Sequence, residues 1–516
     1  MKILTSSQMQ AVDKAAIEGL GITGLTLMEN ASIEVYRALS EHFADARSII
    51  VVCGKGNNGG DGFAVARHVA TRGGRVRVVL PATAAEIKGD ALVNLRMARA
   101  AGINVLETPD VESWRRHWIG IDADLVVDAI FGTGLKSAAS GLFGTAIEDI
   151  NGSGRRVVSI DVPSGLSSDT GELLGPTVRA TLTVALQCPK ICHVFPPASE
   201  YCGEVVVAPI GIPPRLHEIP EHRLELLDAA AASILTPRRR DAHKGHFGHA
   251  LVVAGSIGKT GAAIMSGMAA LRAGAGLVTV ATPRSCLPIV AAGAPEIMTE
   301  PLAETPNGTI SSEAVRRIQE LAAEKDVLVV GPGVTTDPST VIAIREIIRT
   351  RRQPIVLDAD GVNCFAGAQG LLQAAVGSPH IIATPHPGEL ARLLGISISD
   401  VLKDRVDMAS RLAIELGLHV VLKGYRTLIA TPSGQVFVNP TGNPGMATGG
   451  TGDVLTGLIG GLMAQSLPLP GVVNLGVYLH GLAGDLAARD VGEISLVATD
   501  LLKHLPAAFR ECSGAR

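Results

Sequence analysis

The chain has 516 residues, 47% of them hydrophobic and only 3% aromatic, with 59 glycines and a formal net charge of −4. That length calls for more than one domain, and a mildly acidic balance without a long charge run excludes a basic nucleic-acid binder. Residues 1–9 are polar and hold no apolar leader core, and runs such as 454–464 are too short and glycine-rich to span a bilayer, so the expectation is a cytoplasmic protein with no membrane partner.

In the first half, strands are predicted at 48–53, 75–80, 125–130, 156–161, 181–186 and 204–209, with helical patterns between most of them. Such alternation implies a parallel sheet covered on both faces. The stretch VVCGKGNNGGDGF (51–63) joins a strand to a helix expected over 63–71, and Gly54, Gly56 and Gly59 spell G-x-G-x-x-G. That is the setting of a phosphate loop. It is not one built for hydride transfer. The loop carries Asn57, Asn58 and Asp61, and the next strand ends in Pro81-Ala82, without an acid to hold a ribose hydroxyl. The seven cysteines are dispersed, and Cys188, Cys192, His193 and Cys202 match no standard zinc spacing, so ordinary reduced thiols are expected.

A polar, proline-rich stretch at 211–223 reads as a linker. The second half then offers strands at 249–256, 277–281, 326–330, 354–358, 380–384 and 418–422, and a hairpin of 427–431 with 435–438. The organisation is two α/β domains, 1–212 and 223–516, joined by 213–222.

The stretch NPTGNPGMATGGTGDVLTGLIGGLMAQ (439–465) crowds glycines before an apolar helix. Glycines let several backbone N–H groups converge, and the helix N-terminus adds positive partial charge, which together cradle an anion such as a transferring phosphoryl group. Asp453 stands at the mouth of that cradle. It can take the proton of a hydroxyl attacking the phosphoryl group; the plain alternative is a helix cap. GKT at 258–260 is not a Walker loop, because Val253 stands where that motif needs glycine.

TGGTGD (448–453) with LKGYRT (422–427) resembles the ribokinase-like fold. ATPHPGELARLLG (383–395), LDADGVN (357–363), GPG (331–333), HKGHFGHALVVAGS (243–256) and LRAGAGLVTVATP (271–283) narrow the resemblance to the nicotinamide-nucleotide-hydrate dehydratases, over about 260 residues. One departure is His246, where that family usually has an acid. The resemblance implies that Asp453 is the base and also touches the substrate, and that Gly449, Gly450, Thr451 and Gly452 form the anion hole. It implies nucleotide contacts at Lys423, Gly424, Tyr425, Arg426, Thr427 and Gly452, and hydrate contacts at Gly333 and His386. ADP is the implied co-substrate, with magnesium.

NNGGDGF (57–63), DAIFGTGL (128–135) and DVPSGLSSDTGE (161–172) resemble the hydrate epimerase family, a Rossmann-like αβα sandwich. By that resemblance Asn57, Asn58, Gly59, Gly60 and Asp61 contact the substrate, as do Gly132, Thr133, Gly134, Leu135, Lys136, Ser137 and Ala138. Asn58, Asp128 and Ser164 would hold a potassium ion, and Asp161 is the candidate acid/base. The implied substrates are hydrated NADH and NADPH in both epimeric forms, and a homo-oligomer is expected. Two alternatives stand beside this reading: a small-molecule kinase, which would release a stable phosphoester, and an inactive interaction module in the first half.

Overall fold

The computed structural model describes residues 1–120, 122–374, 380–469 and 471–513. They form two compact units, Met1–His222 and Arg223–Arg516.

The first unit is built on seven strands: β1 (Ser48–Cys53), β2 (Arg75–Leu80), β3 (Val105–Glu107), β4 (Leu125–Ala129), β5 (Arg156–Ile160), β6 (Leu182–Leu186) and β7 (Glu204–Ala208). Their order is β3-β2-β1-β4-β5-β6-β7, and every pairing is parallel. The central strands are buried on both faces, which is why they read as continuous apolar runs. The order reverses between β1 and β4. In an open parallel sheet that reversal leaves a crevice at the carboxyl ends of the strands.

The predicted helix at 63–71 begins earlier, as Asn57–Thr71 with Gly56 as its cap. Two asparagines and two glycines are poor helix formers, but here tertiary packing wins. A Cβ on Gly59 would lie 2.0 Å from the Gly54 carbonyl oxygen, and one on Gly54 would lie 1.9 Å from that of Ile130. The glycines therefore seat the first helical turn directly on the ends of β1 and β4. The stretch 213–222, read as a linker, lies within this unit. Gln187 ties it down, its Nε2 donating to the Ile212 carbonyl (3.1 Å) and pairing with His217 Nδ1 (3.4 Å).

The second unit carries ten strands: β8 (Leu224–Leu226), β9 (His249–Val253), β10 (Leu277–Pro283), β11 (Met298–Leu302), β12 (Val327–Val330), β13 (Ile355–Leu357), β14 (Ile381–Ala383), β15 (His419–Leu422), β16 (Leu428–Ala430) and β17 (Val436–Val438). The order is β11-β10-β9-β12-β13-β14-β15-β16-β17-β8. Only the β15–β16–β17 hairpin pairs are antiparallel. The helix Thr451–Ala464 is buried from Val454 to its end. It packs on the helix Thr260–Arg272 so closely that a Cβ on Gly457 would lie 2.0 Å from the Ser266 carbonyl oxygen. This contact fixes the start of the helix over the carboxyl ends of the strands. No helix among the described residues is long and apolar enough to cross a membrane.

Candidate active sites

In the first unit, the turns after β1, β4, β5 and β6 surround a cavity of about 870 Å3. It gathers Asn57, Asn58, Asp61, Gly132 to Ser137 and Asp161, all expected at the site, and adds Asp13 and Lys190. Three of the expected contacts face elsewhere. Gly59 packs on Gly54, Gly60 on Met28, and Ala138 against Gly175. Those two helix glycines serve the fit of the backbone, and their flanking polar side chains reach the cavity.

Asp128, at the end of β4, is fully buried. One carboxylate oxygen accepts from Ser164 Oγ (2.6 Å), and the other from Ser164 N and Ser159 Oγ (both 2.9 Å). Burial pushes its pKa up, and these hydrogen bonds oppose the rise. Both polar atoms of the Asn58 amide are buried without a partner, and a Cβ on Gly132 would approach that amide to 3.5 Å. An orphaned amide is costly unless a ligand satisfies it.

Asp161 follows β5 with a φ of 65°, unusual for a residue with a side chain. This is why β5 stops at Ile160 and not at the expected 161. Its Oδ1 pairs with the Lys190 ammonium and also accepts from Leu186 N at 3.1 Å. Asp13 and Asp61 share the cavity. Burial pushes Asp61 well above the usual carboxylate range, aided by the charges of Asp161 and Asp13. Asp13 is raised to about 6, chiefly by burial, with Lys190 opposing and Asp161 adding to the rise. Carboxylates in such different settings can divide the roles of proton donor and acceptor. Sequence reasoning missed Asp13 and Lys190, since a lysine following an apolar strand looks like a surface residue. The described residues contain no cluster of three metal-ligating side chains at the cysteines or elsewhere. Cys202 Sγ donates to the carbonyls of Cys192 (3.6 Å) and Ala198 (3.5 Å).

In the second unit the cap of the helix Thr451–Ala464 is Gly450, at φ 95°, and not Asp453, which lies in the first turn. Asp453 is half-buried and makes no side-chain hydrogen bond among the described residues. Burial raises its pKa to about 7, Asp358 adds to the rise and Lys423 opposes it. The turn itself is braced. Thr451 Oγ1 donates to the carbonyls of Met446 and Thr448 (both 3.1 Å), and His480 Nε2 donates to that of Thr451 (2.8 Å). Burial lowers His480 to about 4, so the ring is neutral at physiological pH.

Beneath the turn, Asp358 at the end of β13 accepts from Lys423 Nζ, Thr384 Oγ1 and Thr456 Oγ1, each at 2.7 Å. Lys423 thus spends its ammonium on Asp358, with Glu389 at 3.8 Å, and not on an outer face of the loop. The rest of the 423–427 loop is held from behind. Arg405 donates to the carbonyls of Tyr425 (2.7 Å) and Arg426 (3.4 Å), which leaves the Tyr425 ring exposed. Thr427 Oγ1 closes the loop on the Gly424 carbonyl at 2.9 Å. His386 caps the helix Pro387–Leu394, its Nδ1 accepting from Gly388 N (3.0 Å) and Glu389 N (3.3 Å). Its Nε2 is left on the outer side of the ring, 3.3 Å from Glu389. Gly333, at φ 68°, accepts from Ser256 Oγ at 2.7 Å and lies against Lys259. Asp358, Thr384, Thr456 and Glu389 escaped sequence reasoning although all four lie in quoted stretches, because nothing local says which polar side chain of a motif faces inward.

Two α/β units, each with glycines, carboxylates and a lysine paired to a carboxylate at the carboxyl edge of a largely parallel sheet, define a two-site enzyme of nucleotide chemistry. Residues 250–507 match the family described as NAD(P)H-hydrate dehydratase, and residues 24–192 match that described as YjeF-related protein N-terminus. The bifunctional NAD(P)H-hydrate repair enzyme Nnr of Moorella thermoacetica is 45% identical over 516 residues, covering 99% of this chain and 97% of the relative. That of Thermofilum pendens is 40% identical over 513 residues, covering 99% and 96%. A crystal structure of the ADP/ATP-dependent NAD(P)H-hydrate dehydratase from Bacillus subtilis, with ATP and Mg2+, aligns at a TM-score of 0.49 and 30% identity, covering 56% of this chain and 98% of that one. The chain belongs to the family of bifunctional NAD(P)H-hydrate repair enzymes.

Proposed function

We propose that the first unit interconverts the R and S forms of hydrated NADH and NADPH, and that the second dehydrates the S form at the expense of ADP, releasing AMP and phosphate. The observation that carries the second half is Asp453: an unpartnered carboxylate, raised to about 7, in the first turn of a glycine-capped helix. The hydrate carries a hydroxyl on the carbon beside the ring nitrogen, and hydroxide leaves poorly. Asp453 takes the proton of that hydroxyl as its oxygen attacks the terminal phosphorus of ADP. The N–H groups of 449–452 receive the charge of the phosphoryl group. The ring nitrogen's electron pair then expels phosphate to leave an iminium, and loss of a proton from the neighbouring ring carbon to solvent restores the dihydropyridine. Magnesium bound with ADP would ease the charge on the phosphates. Tyr425 offers its exposed ring to the nucleotide, and His386 Nε2 and Gly333 face the hydrate.

In the first unit, Asp161 carries the proton that inversion requires, whether water leaves and returns or the ring opens and recloses. The orphaned Asn58 amide oxygen and the oxygens of the buried Asp128–Ser164 pair are the ligand type a hard cation takes, so these three would hold potassium. When bound, potassium would supply positive charge to the site.

The test is to incubate hydrated cofactor with ADP and magnesium. Recovery of near-ultraviolet absorbance with equal release of phosphate supports the reading. A stable phosphoester would instead establish a small-molecule kinase.

A further inference from the structure

The turn from Lys190 to Val194 follows β6 and holds Cys192 and His193. Lys190 is 1% exposed. Of the three lysines lining the cavity, Lys55 pairs with Glu86, and Lys190 alone is buried against a carboxylate facing the cavity. Its ammonium also donates to the Leu186 carbonyl at 2.8 Å. Three residues on, His193 Nε2 lies 2.8 Å from the Asp161 carbonyl oxygen, and His193 Nδ1 accepts from Lys190 N at 3.0 Å. The second contact makes Nδ1 the acceptor, so Nε2 carries the proton and donates to Asp161. One short turn therefore grips Asp161 twice: Lys190 on the side chain and His193 on the main chain.

The grip matters because Asp161 sits at φ 65°, a strained conformation for a residue with a Cβ that persists only when its surroundings enforce it. The Asp161 N–H is held by the Val184 carbonyl at 2.9 Å and its C=O by His193. Oδ1 is taken by both Lys190 and Leu186 N, and Oδ2 accepts no hydrogen bond among the described residues.

We propose that Lys190 and His193 are positioning residues of the epimerase site, clamping Asp161 so that its free Oδ2 meets the hydrate. The proposal rests on the reading of Asp161 as proton carrier. In it, the proton passes between the nucleotide and Oδ2 and returns; Lys190 and His193 keep theirs, and no electron changes hands. Lys190 also decides which carboxylate is paired. Asp13 and Asp61 line the same cavity and Lys190 hydrogen-bonds neither, so of the three carboxylates Asp161 holds the charge-assisted contact.

The test uses the full chain and follows R-to-S interconversion by chromatography, without ADP. Lys190→Met is expected to lower kcat about 10²-fold or more, with KM within about threefold, since a misplaced carboxylate loses the transition state and not binding. Methylammonium is expected to restore part of the turnover of Lys190→Ala. Dehydration of pure S hydrate by the second unit serves as the control and is expected to be unchanged. His193→Leu is expected to lose turnover, and His193→Gln, which keeps a donor toward the Asp161 carbonyl, to retain much of it. If Asp161→Asn epimerises normally, the underlying reading falls and the clamp with it. If Asp161→Asn is inactive while Lys190→Met and His193→Leu turn over like wild type, the clamp alone is overturned. Should Lys190→Met unfold the first unit, the two His193 variants decide, and equal turnover in them overturns the proposal.

Discussion

The Lys423 ammonium lies 2.7 Å from Asp358 Oδ1, under the helix that carries Asp453. Asp358 is 1% exposed and Lys423 19%. Thr384 and Thr456 complete the carboxylate's hydrogen bonds. Removing one partner of a buried pair strands the other charge and typically costs about 3–5 kcal/mol. Lys423→Met is therefore expected to destabilise the second unit by that order, and Asp358→Leu in the same chain to recover part of the loss. Urea unfolding measures both. A variant of normal stability with weakened ADP binding would instead make Lys423 a nucleotide ligand only.

Asp453 is expected to make dehydration and stability respond to pH in opposite directions. Its ordinary value of 3.8 is raised to about 7 in the folded chain. As a base it must be ionised, so turnover is expected to rise with pH through about 7. For stability the sign reverses. The folded state holds a proton that the unfolded chain gives up at lower pH, so the contribution is complete below about 4 and lost as pH rises through about 7. Asp453→Asn is expected to abolish dehydration while keeping nucleotide affinity within about tenfold. It is also expected to be more stable than wild type at pH 8, by on the order of 1–3 kcal/mol, the higher value being a discount from the full shift because the group is only half-buried. Near-normal turnover in the variant would leave Asp453 no catalytic part.

The central strands were legible in the sequence because a parallel sheet buries both faces and leaves unbroken apolar runs, as in β1 and β12. The edges were not. β3 and β8 have three residues each, and β11 contains Glu300 and Pro301, which an edge strand tolerates because one side of its backbone needs no partner. At the sites, side chains in glycine-rich turns could be read, since glycine marks close approach. Partners brought from distant turns could not. Nothing local ties Lys190 to Asp161 or Thr456 to Asp358, because 29 and 98 residues separate them.

Gly457 tests how far the helix contact sets the second site. A Cβ there would lie 2.0 Å from the Ser266 carbonyl oxygen, and Ser266 Oγ donates to the Asp453 carbonyl at 3.1 Å. Gly457→Ala must push the two helices apart, at a cost of about 1–3 kcal/mol. The shift acts at the base of the turn that carries Asp453, so dehydration is expected to fall more than ADP affinity. Epimerisation is expected to hold. Loss of both activities together would point to general unfolding and not to a displaced turn.

Asp161 can be tested by setting one unit against the other. With excess ADP, the wild-type chain is expected to repair a mixture of both epimers to completion, since the first unit feeds the second. Asp161→Ala removes the carboxylate that Lys190 holds and leaves the second unit's residues untouched. The S fraction is then expected to be repaired at the normal rate, followed by a stall set by spontaneous epimerisation. Losing a general acid–base group typically costs about 10²–10⁴-fold, enough to separate the two phases. Asp161 also lies three residues before Ser164, which bonds Asp128 at 2.6 Å, so the variant could act through the proposed cation site. Rescue of the second phase by high potassium would identify that route. Absence of rescue places the loss at the carboxylate itself, and a single phase equal to wild type removes Asp161 from the chemistry.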